Sequence, residues 1–207
     1  MKISNEEMMF MLSVSKGRKP LGIHTIMPSE TERETYIRST IQSLNRKGIV
    51  DNQEKLTKEG VDLISFLEQY RNNHRHVAID NIFIAVLPED RLITVQKTEE
   101  GYEFSCISTG VLLGVILKYS EYLRSEEKVP QRGKWQNINI DGLIEKARKS
   151  DGGVWVREYM DGKLEEEKFY GWNKEEGYVV NLDSYRMRTL SPGIMRRQLY
   201  GLFREEE

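Results

Sequence analysis

Ile82-Phe83-Ile84-Ala85-Val86-Leu87 is a continuous apolar run rich in β-branched residues, followed by Pro88-Glu89-Asp90 and a second run, Leu92-Ile93-Thr94-Val95. Six apolar residues in a row suit a strand covered on both faces, and Pro-Glu-Asp is turn chemistry. Glu99-Glu100-Gly101 turns the chain again into Tyr102, Phe104 and Cys106, which alternate with polar residues as a half-buried strand does. The reading is a three-stranded antiparallel meander. Alternation puts Cys106 beside Tyr102 and Phe104, so its thiol is expected in the core and inert.

Upstream the period changes from two to 3.6. Ser4 or Asn5 caps a first helix through about Ser15, and Leu21 to Ile26 reads as a short strand. Ser29-Glu30-Thr31-Glu32 after Pro28 has the form of a capping box opening a helix with Ile37, Ile41 and Leu44 inward and Gly48 at its end. Thr57 caps a third helix with Val61, Ile64, Leu67 and Tyr70 or Phe66 inward.

Downstream, Ser108-Thr109-Gly110 opens a helix from Val111 to about Arg124, apolar nearly all round and expected to be buried on most sides. Gly110 and Gly114, at x-x-x spacing inside it, suggest tight helix packing. Residues 124–137 form a loop, and a helix spans about Asp141 to Lys149 with Leu143, Ile144 and Ala147 inward. Strands are read at Val154 to Tyr159, Leu164 to Trp172 and Tyr178 to Leu190. Ser191-Pro192 starts a last helix with Met195, Leu199 and Leu202 as its apolar stripe.

Glu99-Glu100-Gly101-Tyr102 recurs as Glu175-Glu176-Gly177-Tyr178, each opening the last strand of a set that runs into a helix. A duplicated αβ unit would explain the echo; so would common turn chemistry. Both readings stand. The halves are residues 1–107 and 108–207, read together as one compact unit.

With 38% apolar and 31% charged residues over 207 positions, the chain is globular and long enough for a sizeable core. Its net charge of −2 gives no general attraction to nucleic acid or anionic lipid. A single cysteine excludes an internal disulfide and fits a reducing compartment. A polar, acidic start and an apolar stretch no longer than Val111 to Leu117 predict neither signal peptide nor membrane span, hence a cytoplasmic protein.

The chemistry-bearing residues do not assemble into a catalytic pattern. His74-Arg75-His76 sits at a helix exit, where cationic side chains are favoured, and lacks the spacing of a zinc site. No nucleophile elbow or phosphate-cradling glycine loop is present. The runs Glu165 to Glu167 and Glu205 to Glu207 read as a solvated face and a tail. The expectation is a protein with no enzymatic activity, no cofactor and no metal.

Two binding readings remain. Leu44 to Val50 followed by Leu56 to Gly60 has the cadence of a winged helix, the alternative being a DNA-binding regulator with Arg33, Arg38, Arg46 and Lys47 on the duplex. Residues 1–76 carry 12 Lys and Arg against 10 Asp and Glu, and the reading helix would begin with Glu30, Glu32 and Glu34. Nucleic-acid readers present a concentrated basic stripe, so the winged segment is read as structural. Trp155, Tyr159, Phe169, Tyr170, Trp172 and Tyr178 crowd the second strand set. Consecutive Phe169 and Tyr170 must face opposite sides, so the cluster is either covered on both faces or partly an interface.

In order along the chain, the short helix leading to Pro20-Leu21-Gly22-Ile23, the helix ending Leu44-Asn45-Arg46-Lys47-Gly48-Ile49-Val50, the meander from Ile79 to Phe104, Gly171-Trp172, Gly177-Tyr178-Val179 and the Ser191-Pro192 helix resemble the EspG-type chaperones of ESX (type VII) secretion. The resemblance runs over nearly the whole chain as a succession of weak motifs, in a chain shorter than the mycobacterial members. It implies an α+β, pseudo-twofold fold: a central antiparallel sheet, an N-terminal winged-helix-like segment and a C-terminal helical bundle. It also implies a chaperone or adaptor that holds a helical-hairpin secreted protein (WXG-like, an LXG toxin or PE/PPE-like). Carried over, docking falls on the loop Leu87 to Leu92, with Leu87, Asp90, Arg91 and Leu92, and on the helix Val111 to Arg124, with Tyr119, Tyr122 and Leu123. Nucleic acid, small-molecule substrate and membrane insertion are not expected.

Overall fold

A computed structural model of the chain describes residues 1–25, 29–127 and 129–204. The expected Pro28, Ile26 and the run Glu205 to Glu207 lie outside them. Contacts divide the chain into two compact units: Met1–Asn73 with Thr94–Ser105, and His74–Ile93 with Cys106–Glu207.

In the first unit, β1 (Lys2–Ile3) leads into α1 (Asn5–Val14), α2 (Arg33–Arg46) and α3 (Lys58–Asn72). A capping box forms at Ser4: its hydroxyl accepts the Glu7 N–H while the Glu7 carboxylate accepts the Ser4 N–H at 2.7 Å. The box read at Ser29 does not form. The Ser29 hydroxyl donates to the Glu32 carboxylate instead, and one turn of tighter helix (Glu30–Glu32) precedes α2. On α2 the buried line is Thr40 and Leu44, with Ile37 exposed; on α3, Leu63, Ile64, Leu67 and Tyr70 are buried and Val61 is exposed.

Leu21 to Thr25 is a turn and irregular chain, not a strand. Its backbone polar groups find side chains rather than a strand partner. The Tyr70 hydroxyl donates to the Leu21 carbonyl, and the Tyr102 hydroxyl donates to the His24 carbonyl and accepts its N–H, all at 2.8 Å. Two buried tyrosines thus supply what a ladder would otherwise provide.

Glu7 is fully buried, a costly place for a carboxylate. Burial alone pushes its pKa up. The Lys47 hydrogen bond (2.5 Å), the Ser4 N–H, the Ser43 hydroxyl (2.7 Å) and the Lys47 charge outweigh that and hold it below its ordinary value. The network joins α1 to the end of α2. Because the folded pKa is depressed, its contribution is complete at neutral pH and is lost as pH falls through the acid carboxylate range. Glu7→Gln is expected to cost about 2 kcal/mol at pH 7, less than a fully buried pair because Lys47 reaches solvent. Urea titrations should show that cost shrinking toward pH 3.

The second unit contains β2 (Arg75–Ile79), β3 (Ile82–Leu87) and the start of β4 (Arg91–Thr98), whose remainder belongs to the first unit together with most of β5 (Gly101–Ser108). The sequence reading lacked β2. Consequently His76 is not a solvated residue at a helix exit but a buried one within a strand.

From the end of β5 the chain enters α4 (Thr109–Lys118), α5 (Glu121–Arg124), β6 (Gln136–Asn137) and α6 (Ile140–Arg148). It continues through β7 (Gly152–Met160), β8 (Lys163–Trp172), β9 (Gly177–Asn181), β10 (Arg186–Leu190) and α7 (Pro192–Gly201). The single strand read from Tyr178 to Leu190 is two antiparallel strands, because Leu182 to Tyr185 turns the chain. Within this unit the strand order is β4-β3-β2-β7-β8-β9-β10-β6, and the central pair is antiparallel with Val77 opposite Glu158.

Connectivity repeats. A two-residue strand and a helical segment lead into four consecutive strands and a closing helix, once as β1 to α4 and once as β6 to α7. In each copy the short lead strand pairs antiparallel with the fourth strand, β1 with β5 and β6 with β10. The echoed Glu-Glu-Gly-Tyr, however, opens the fourth strand of one copy and the third of the other. It is therefore not the mark of the repeat.

The second unit's core joins Val77, Ile84, Val86, Leu92, Val154, Val156, Tyr170, Trp172 and Val179 of the sheet to Leu112, Leu123, Met195 and Leu199 of the helices and Phe203 of the turn after α7. Opposite lies an aromatic row, Trp155 to Phe169 to Tyr178, with ring centres 6.3 and 6.1 Å apart. Gly171 leaves room for it, since a Cβ there would stand 2.4 Å from the Tyr178 ring. Alternation thus splits the cluster: Tyr170 and Trp172 face the core, while Trp155 remains 43% exposed.

Candidate functional site

α4 is the most apolar helix of the chain, yet only Thr109 and Leu112 are buried on it. Val111, Val115 and Tyr119 are 54%, 53% and 77% exposed, a row at i, i+4 and i+8 along the helix and its cap. The expectation of burial on most sides is overturned. Gly110 and Gly114 are exposed too, with no neighbour near enough for tight packing at Gly114.

The helix read as running to Arg124 breaks at Tyr119. Ser120 is buried, and its hydroxyl accepts the Leu123 N–H at 3.0 Å, so it caps α5 as a separate turn. On a different side of α4 from the exposed row lies an apolar recess of about 260 Å³. Leu113, Ile116 and Leu117 of α4, Leu123 of α5, and Leu199 and Tyr200 of α7 line it. A continuous row of exposed large apolar side chains along one helix marks a contact surface more often than solvent-facing decoration.

The residues assigned from the resemblance divide. Tyr119 is exposed at the end of the α4 row. Tyr122 and Leu123 are core residues: the Tyr122 hydroxyl donates to the Leu190 carbonyl, and burial above all pushes its pKa up. Leu92 is also fully buried and presents nothing to a partner. Leu87 is half-buried, and Asp90 and Arg91 are exposed.

The β3–β4 turn is built for rigidity. Glu89 and Asp90 both have positive φ, +61° and +57°, the pattern of a tight hairpin turn whose twist matches the strands. The Asp90 carboxylate accepts the Thr109 N–H at 3.3 Å at the start of α4. Loop and helix are therefore joined through a helix-start hydrogen bond. Charge reversal at Asp90 would disturb the fold as well as the surface, so it does not isolate docking. Asp90→Ala is expected to cost about 1–2 kcal/mol, from the lost cap and alanine's poor fit to positive φ; Asp90→Gly should cost less. Thermal melts of the two variants distinguish these contributions.

Elsewhere the reactive groups are dispersed. Cys106 is exposed, because β5 carries its alternation beyond the edge of the core. Among the described residues no group of three or more His, Cys, Asp or Glu side chains could hold a metal ion, and no helix is long and apolar enough to cross a membrane. In the winged segment, Val50 and Leu56 bridge between α2 and α3, but Lys47 pairs with Glu7 and Arg38 with Glu34, which consumes two of the cations a duplex would need.

Fold and surface together define a mixed α+β protein with a large antiparallel sheet and an exposed apolar helix face. Within that class, the chain belongs to the family described as a domain of unknown function, DUF5081, whose model matches residues 1–131. The matched span runs from β1 through α5 and so contains the first copy of the repeat and the exposed helix. No curated protein matches the chain.

Proposed function

We propose that this protein works by occupancy: a cytoplasmic, non-enzymatic chaperone or adaptor of EspG type that holds the apolar tip of a helical-hairpin secreted protein before export. The observation that carries the reading is the exposed apolar row Val111, Val115 and Tyr119 along α4 and its cap. A helical tip laid along that row would bury its own apolar side chains and those of the row together. The repeated connectivity, with its two first strands β2 and β7 paired, supports a pseudo-twofold EspG-like fold.

Co-expression with helical-hairpin secreted proteins of the WXG-like, LXG-toxin and PE/PPE-like classes tests the reading. The expected result is a stable one-to-one complex by size exclusion with light scattering. Separate elution of every such candidate, with both partners folded, contradicts it.

A further inference from the structure

The sheet face that carries the second unit's core does not end where its apolar residues end. Alternation places Arg75 on the face of Val77, Glu158 on that of Val156, Lys168 and Glu166 on that of Tyr170, and Arg188 on that of Leu190. These charged residues, with Arg132 and Trp135 from the segment before β6, line a cavity of about 380 Å³. That is a ligand-sized space.

The charges inside do not balance. Glu158 lies 3.6 Å from Arg75 and 3.8 Å from Lys168; Glu166 pairs with Lys168 and accepts from the Asn181 amide at 3.1 Å. Arg132 and Arg188 have no carboxylate partner among the described residues. The Arg188 Nε is buried without a hydrogen-bond partner, and its guanidinium stacks 4.3 Å from the centre of the Trp135 ring. Burial first, and the neighbouring Arg132 charge second, hold the Arg188 pKa below its ordinary value. Burial pushes the Tyr170 pKa up, and its hydroxyl is a donor at the same cavity. An unpaired, part-buried guanidinium destabilises the empty protein, the kind of cost that persists at binding sites.

We propose that this cavity binds a carboxylate, gripped by Arg188 and Arg132 and walled by the Trp135 ring. A planar carboxylate matches the guanidinium fork, and Val179 and Leu202 offer apolar wall for a short hydrocarbon stem. A phosphate dianion would meet Glu158 and Glu166. The carboxylate belongs either to a free short dicarboxylic acid or to an acidic side chain of a polypeptide. The inference is independent of the function proposed above.

The test follows the Trp135 indole ¹⁵N signal of the full chain during titration with glutarate, a capped tetraglutamate peptide and inorganic phosphate. At least one carboxylate probe should give a saturable shift, weakened roughly ten-fold or more by Arg188→Met and by Arg132→Gln. Tighter binding of the peptide assigns the polypeptide source, and tighter binding of glutarate the free acid. Without ligand, Arg188→Met should melt no lower than the parent, which a purely structural arginine would not allow. Absence of a shift with both carboxylates, tighter binding of phosphate, unchanged binding by both variants, or a lowered melting temperature of Arg188→Met overturns the proposal.

Discussion

Gly101→Ala is expected to lower the unfolding free energy by about 3 kcal/mol or more, a loss in the range reserved for backbone clashes and special φ values. Gly101 has φ +140°, a conformation L side chains rarely adopt. A Cβ there would stand 2.2 Å from the Ile3 carbonyl oxygen and 2.7 Å from the Ser4 Cα. Neither can yield cheaply. Ile3 pairs with Tyr102 across β1 and β5, and Ser4 opens α1 with the capping box that includes Glu7. One methyl group would therefore press on the strand pair, the cap and the buried Glu7 network together. Urea unfolding followed by far-ultraviolet circular dichroism measures the loss. A cost below about 1 kcal/mol, the size of an ordinary helix-cap change, would mean that β1 does not sit against Gly101 as described.

The largest functional effect is expected from the double variant Val115→Asp with Tyr119→Ala. Both positions are more than half exposed, so the fold should retain its melting temperature within a few degrees. Capture of the proposed helical-hairpin partner should weaken by roughly 100-fold or more. An aromatic anchor at the centre of an interface accounts for about 2 kcal/mol or more, and a buried unpaired aspartate adds to that. Arg148→Ala, an exposed residue on α6, is the control and should bind as the parent does. Calorimetric titration of the three proteins separates loss of a contact from loss of fold.

Much of the architecture is legible in local chemistry. Strands announced by β-branched runs, helix starts announced by Ser4, Thr57 and Ser108, and the buried stripe Met195, Leu199 and Leu202 all follow from periodicity and caps. What escaped is tertiary. Nothing local says that Tyr70 and Tyr102 take the backbone groups of Leu21 and His24, so the apolar run from Leu21 reads as a strand where the structure has a turn and irregular chain.

The apolar composition of α4 similarly cannot distinguish burial by the chain itself from burial by a partner, and the exposed row Val111, Val115 and Tyr119 emerged only in three dimensions. Leu92, Tyr122 and Leu123 enter the docking set only through their place in a family pattern, while packing puts them inside. The cavity at Arg188 is not legible locally because its charges come from β2, β7, β8, β10 and the segment before β6, which meet only in the folded sheet.

Partner contact at α4 is read most directly by site-specific photocrosslinking. A photoreactive residue in place of Tyr119 should form an adduct with the helical tip of the co-expressed partner, and one in place of Arg148 should not. Adduct at 148 with none at 119, from an intact complex, would contradict the assignment of this face as the docking surface.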